Sequence, residues 1–339
     1  LEMLANGANP RDHPVALTTD DPVRELARML DSPPDLVPRP ASRPEPRPPV
    51  DQRPRSLYVT RIERWIRDPY ALYAQWILGL ESLDRPGQPA TAMERGNAIH
   101  AAIEALTLER PDDMGDDFAE ALAGRIVAEL VKAGFDDAAL AREQPLAEAS
   151  ARWLAEQERT RRARADGPVT LHAERKGRMT LTLPGGDFVL QAYADRIETW
   201  PGGAAVLDFK TGMAPSKKEV EAGLAPQLTL TAAILEAGGF GPEIGRGPVA
   251  ELAYVRPTGR GEGGEWKTVA AGLEDTATAT GDALEGLTRR IAHFDRDETP
   301  YRSWAVPKFM TLRGGNYDHL ARVREWHVMG AADGEGEGG

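Results

Sequence analysis

The chain has 339 residues, is 41% hydrophobic, carries a formal charge of −12 and contains no cysteine. It has apolar material for a real core, but no stretch nears the roughly 20 uninterrupted apolar residues of a membrane helix, and its start lacks the basic-then-apolar order of a signal peptide, so a cytoplasmic globular protein is expected. Without cysteine, disulfides, thiolate zinc sites, iron–sulfur clusters and cysteine nucleophiles are excluded together, and any metal must rest on oxygen and imidazole ligands, which suits Mg²⁺ or Mn²⁺.

The acidic balance runs against nucleic-acid binding, because neutralising phosphates supplies much of that affinity. Local clusters can overrule the total: Arg159, Arg161, Arg162 and Arg164, then Arg175, Lys176 and Arg178, then Lys217 and Lys218. Each taken alone reads as a solvated face.

In chain order, Pro33 to Pro54 holds nine of the 27 prolines and few large apolar groups. Residues 1–55 are therefore expected to be an upstream tail and a stiff, extended tether. The absence of an initiator methionine at Leu1 fits a fragment of a larger protein, and residues 329–339, rich in glycine and acid, read as a disordered tail. The folded domain is expected over 56–328.

Thr60 to Glu63 has the form of a capping box, and a helical pair is expected around Asp68 and Pro69. The aromatics from Tyr58 to Trp76 lie at helical spacing, which favours core packing over base stacking. Amphipathic helices are predicted over Glu94–Leu108, Asp116–Lys132 and Leu146–Arg164. Strands follow over Val169–His172, Met179–Leu183, Phe188–Ile197 and Ala204–Phe209, with turns at Pro184–Asp187 and Pro201–Gly203, giving an antiparallel meander. Lys217–Glu221 and Gln227–Ala237 read as helices, Glu251–Arg256 as a strand and Ala277–Phe294 as a long helix. The fold class is α/β (α+β). Gly259, Gly261 and Gly264 match a dinucleotide fingerprint in spacing alone; no helix opens after them, and they read as a flexible loop.

Asp208 and Lys210, two residues apart, leave the same face of a strand, with Val206 continuing that face inward. A hairpin turning at Pro201–Gly203 brings Asp195 back near Asp208. Two carboxylates converging at strand ends can hold a hard cation, which lowers the pKa of a water and stabilises charge on a phosphoryl oxygen, while the lysine orients or helps deprotonate that water. The bland alternative is a surface salt bridge. His100, on a helix after Gly96, would by itself read as an ordinary histidine.

The ordered set of Gly96 and His100, then Asp195, then Asp208, Lys210, Thr211 and Gly212, then Gln227 and Leu228 resembles the RecB-like branch of the PD-(D/E)XK nuclease superfamily. Arg61–Ala74, Glu94–His100, Leu207–Gly212, Ala225–Leu228, Glu251–Tyr254 and Tyr317–Trp326 further resemble the C-terminal nuclease domain of the AddB family of helicase–nuclease subunits. The resemblance spans roughly Arg53 to Trp326. It implies a restriction-endonuclease-like core, a central mixed sheet with the meander flanked by helices. It also implies a Mg²⁺-dependent exonuclease that hydrolyses single strands fed to it during double-strand break resection, beside an AddA-type subunit and away from membranes. By that resemblance Asp195, Asp208, Lys210 and Gln227 are catalytic, and His100, Asp195, Asp208 and Phe209 hold the metal. The branch often has tyrosine four residues after the glutamine; here Thr231 stands there, and a phosphate or base contact is expected to be missing. Some relatives carry a four-cysteine iron–sulfur cluster, which this chain cannot, so ordinary packing must join the helices around Trp65 to the C-terminal segment. Glu174 is either an outer ligand or, the favoured reading, a salt-bridge partner of Arg175 or Arg178. Two alternatives stay open: a non-catalytic module that guides DNA and docks on a partner, and a stand-alone Cas4-like or phage-type exonuclease.

Overall fold

The computed structural model describes residues 22–31, 42–81, 91–110, 115–163, 169–310 and 315–332. The chain divides into two units, residues 43–323 and the two flanking segments 1–42 and 324–339. The flanking unit contains helix α1 (Pro22–Asp31) and nearly all of α10 (Val323–Ala332). The first nine residues of the proline-rich run, 33–41, and all but the beginning of the glycine-rich C-terminus lie outside the described residues.

The larger unit begins inside the expected tether, and residues 43–55 are not a free linker. Arg53 is 5% exposed. Its guanidinium donates to the carbonyls of Pro48, Phe294, Arg296 and Asp297 at 2.6–3.1 Å. A cation set on the last carbonyls of a long helix satisfies acceptors that the helix cannot, and the chain is thereby pinned.

Strand β1 (Ser56–Tyr58) leads into α2 (Val59–Arg67) and α3 (Pro69–Leu72). Thr60 does not cap α2, because the helix starts one residue earlier and Glu63 pairs with Arg67 instead. The break at Asp68 is as expected: its side chain accepts from the Ala71 amide, and Pro69 takes the first helical position. A π-helical turn, Tyr73–Ile77, follows. Trp65, Ile62 and Leu72 are buried, while Tyr58 and Trp76 stay exposed.

Helices α4 (Ala92–Glu109), α5 (Phe118–Lys132) and α6 (Asp137–Arg162) form one layer. The capping box is at the head of α4, where Thr91 and Glu94 bond reciprocally. Helix α6 starts well before Leu146 and carries Pro145 in its interior.

The sheet has the order β1-β3-β4-β5-β6, with β2 on the other edge of β3. Strands β2 (Thr170–Leu181), β3 (Phe188–Trp200) and β4 (Gly203–Phe209) make the antiparallel meander. The two short strands expected between 169 and 183 are one strand running through Glu174. Helices α7 (Lys217–Glu221) and α8 (Gln227–Glu236) cross over to β5 (Val249–Arg256), which is parallel to β4. Strand β6 (Glu265–Ala271), unanticipated from sequence, pairs antiparallel with β5. The glycine-rich turn between them is packed: a Cβ at Gly259 would stand 2.2 Å from the Leu146 carbonyl of α6, and Gly263 and Gly264 press on Trp153. Helix α9 (Leu273–Phe294) closes the fold.

Two cores result, one on each sheet face. Val206, Leu252 and Tyr254 meet α2, α8 and α9; Leu207, Phe209 and Val255 meet α4, α5 and α6. Helix α8 is buried from Gln227 to Leu235, as befits a helix apolar nearly all round. The arginine run at the end of α6 is no solvated face throughout. Arg161 is buried and bonds Glu198 and Glu251, while Arg196 pairs with Glu158 and Glu198. Arg164 lies outside the described residues.

Candidate active site

One edge of β3 is shared. Over Arg196–Trp200 it pairs with β4, and over Val189–Gln191 with β1. Asp195 lies in the opening between them. Its Oδ2 accepts the Phe209 amide at 2.8 Å, completing the last bond of the ladder with a side chain. His100, in the third turn of α4, places Nδ1 3.6 Å from the same oxygen. Gly96, one turn earlier, lets α4 approach the loop after β4: a Cβ there would come within 2.8 Å of the Thr211 hydroxyl. That close approach is a physical reason for the Gly-x-x-x-His spacing.

On the other edge of β3, Glu174 stands opposite Asp195, between the pairs Ala173–Arg196 and Arg175–Ala194. Its φ of 47° is left-handed, a strained conformation for a residue with a side chain and one that re-aims it out of the strand's regular alternation. Glu174 makes no ion pair with Arg175 or Arg178. Instead, ligand atoms of His100, Glu174 and Asp195 all lie within 4.8 Å of one another. The favoured salt-bridge reading of Glu174 is therefore replaced by a place in the acidic cluster.

Asp208 sits beside this group, facing α8. Gln227 donates to its Oδ1, the Lys210 ammonium lies 2.7 Å from its Oδ2, and Lys210 donates to the Gln227 side-chain Oε1 at 3.2 Å. Three side chains thus fix one another. The Lys210 amide bonds the Val255 carbonyl, extending the parallel ladder one residue past β4, and its ammonium stands 6.0 Å from the Tyr254 ring. Phe209 gives its ring to the core and its amide to Asp195. Thr231 is buried, and its hydroxyl bonds the Gln227 carbonyl one turn back, so it faces its own helix.

The electrostatics follow from crowding. Burial, then the nearby carboxylates of Asp195, Glu104 and Asp208, push the Glu174 carboxyl up to about 8. Burial raises Asp195 despite the Phe209 amide, and burial with the Asp195 charge raises Asp208 despite Lys210. Burial holds His100 below its ordinary value, toward the neutral ring that ligates metal. For Lys210, burial works against the ammonium, but Asp208 outweighs it and the charged form is favoured. One imidazole and two carboxylates without a cationic partner among the described residues, with a third carboxylate held by Lys210 alongside, fit a hard divalent cation.

A family model described as the PD-(D/E)XK nuclease superfamily matches residues 56–304, which covers the sheet, α2 to α9 and every residue of this cluster. The chain belongs to that superfamily. The mixed α/β sheet flanked by helices is the fold of a PD-(D/E)XK protein. Relatives include uncharacterized proteins of Rickettsia felis and Rickettsia conorii, each 30% identical over 200 residues, covering 55% of this chain. The chain spans under a quarter of their length, 22% and 23%. The crystal structure of SSO0001 matches at a TM-score of 0.29 and 12% identity, over 69% of this chain and 76% of that one, a likeness too distant to carry an argument. Among the described residues, no helix is long and apolar enough to cross a membrane.

Proposed function

We propose that this PD-(D/E)XK domain is a Mg²⁺- or Mn²⁺-dependent deoxyribonuclease. The observation that carries the reading is the convergence of His100, Glu174 and Asp195 beside the interlocked Asp208, Lys210 and Gln227. His100, Asp195, Asp208 and Glu174 would hold the cation, with Phe209 at the same strand end. A divalent cation held there supplies Lewis acidity toward a phosphodiester and its attacking water. Lys210 sets a positive charge beside Asp208, where it orients that water and offsets charge on the phosphoryl group. Gln227 holds both in place.

The finer reading is an exonuclease domain of an AddB-type helicase–nuclease subunit, acting on single strands during double-strand break resection with an AddA-type partner. It is supported by the motif order along the chain.

The test is incubation of the chain with end-labelled single-stranded DNA and Mg²⁺. Cleavage should need the metal and fall at least about 100-fold in Asp208→Ala and in Lys210→Ala. Equal cleavage in wild type and variants would sink the reading. DNA binding without any metal-dependent cleavage would favour the guiding module instead.

A further inference from the structure

Beyond Asp195 and Glu174, β2 and β3 continue with one face open. Cross-strand pairing places Lys176 beside Tyr193 and Arg178 beside Gln191, while β1 brings Tyr58 against Gln191 from the other side. Alternation assigns these residues to one surface, since their neighbours Gly177, Leu190, Ala192 and Leu57 are directed into the core. Tyr193 is 43% exposed and Tyr58 38%, unusual for aromatic rings on a sheet. The Lys176 ammonium stands 5.7 Å from the Tyr193 ring. Gln191 donates to Ser56 at 2.6 Å, which ties β1 into the surface. Among the described residues, neither Lys176 nor Arg178 is paired with a carboxylate, although the chain as a whole is acidic.

We infer that this open strip is the track on which a single-stranded DNA lies as it enters the site, an inference that rests on the nuclease reading above. Charge complementarity selects the occupant. Two uncompensated cations follow one another along β2 and suit consecutive phosphates, and two exposed tyrosine faces suit unstacked bases, which a duplex does not present. Strand geometry sets the reach: residues two apart on one face are about 6.8 Å apart, so Tyr193 lies one such step from Asp195 and Arg178 two from Glu174. The track therefore spans a few nucleotides on one side of the scissile bond.

The experiment is fluorescence anisotropy of a labelled 20-nucleotide oligothymidylate with the full chain, in EDTA so that no cleavage occurs. Tyr193→Ala should weaken binding about tenfold and Tyr193→Phe should not, because the ring and not the hydroxyl stacks. Lys176→Ala with Arg178→Ala should lower the slope of log K against log salt by about 1.4, roughly 0.7 for each phosphate left without its cation. These side chains are exposed, and thermal melting checks that the variants fold. Unchanged affinity and salt slope in folded variants would overturn the track, even if Mg²⁺-dependent cleavage is present. Weakened binding in a chain that never cleaves would leave the track standing and remove the nuclease reading.

Discussion

At the scale of single residues, Gln227 is the most informative side chain, because it bonds both Asp208 and Lys210 while touching the cation cluster only through them. Its replacement by leucine should lower kcat about 10- to 100-fold with little change in DNA affinity, the usual cost of losing a group that orients a ligand. Single-turnover rates at saturating DNA measure it. The acids make a second expectation. Glu174 is lifted to about 8, and Asp195 and Asp208 are lifted as well. A carboxyl whose pKa is higher folded than unfolded costs no stability while both states are protonated, and costs progressively more as pH rises through the folded value. In EDTA the melting temperature should therefore fall from about pH 5 to about pH 8, and Glu174→Gln should flatten the upper part of that decline. Divalent metal should reverse it, binding more tightly as pH rises and releasing protons measurable by calorimetry. Asp195, Asp208 and Lys210 were legible because short spacings and a two-residue turn bring them together, whereas Gln227, 17 residues beyond Lys210, came in only through the resemblance. Glu174 was not, since its place depends on a left-handed backbone that an acid beside Arg175, Lys176 and Arg178 does not announce.

At the scale of elements, what binds the layers is partly ionic. Arg161 and Arg196 join Glu158 of α6, Glu198 of β3 and Glu251 of β5, and Trp266 of β6 donates to Glu251 under the Arg161 guanidinium. Burial pushes Glu198 up, but Arg196 and Arg161 outweigh it and hold its carboxyl below the usual range. Glu198→Ala should cost about 3–5 kcal/mol in chemical denaturation, because it leaves two buried guanidiniums short of a partner. Replacing whole pairs by apolar residues should cost far less. This network was hidden from the sequence because an arginine at the end of an amphipathic helix looks solvated until its partner strands are known. Strand β6 was hidden for a related reason: its exposed edge gives Glu265, Trp266 and Lys267 no clean alternation. Pro145 likewise masked the first turns of α6, a helix interior that neighbouring layers stabilise although proline has no amide to donate.

At the scale of the whole molecule, the body begins at residue 43 and not at residue 56. A chain trimmed to begin at Arg43 should keep the melting temperature of the full chain. One beginning at Ser56 lacks Arg53 and its bonds to the carbonyls at the end of α9, and should be less stable by about 2–4 kcal/mol in denaturant titration. The arrangement of layers was legible from the change from helical to alternating periodicity near residue 169. The placement of β1 was not, since three residues preceding a helix carry no signal of a parallel partner far along the chain.

That placement has a kinetic side. The opening in which Asp195 sits exists only when β1, from residue 56, and β4, ending at residue 209, have both found the same edge of β3. Pairings between such distant parts of a chain close large loops and form slowly. The opening around Asp195 is therefore completed late in folding, after the β3–β4 hairpin has formed, and a cation seated in it would report that the sheet has closed.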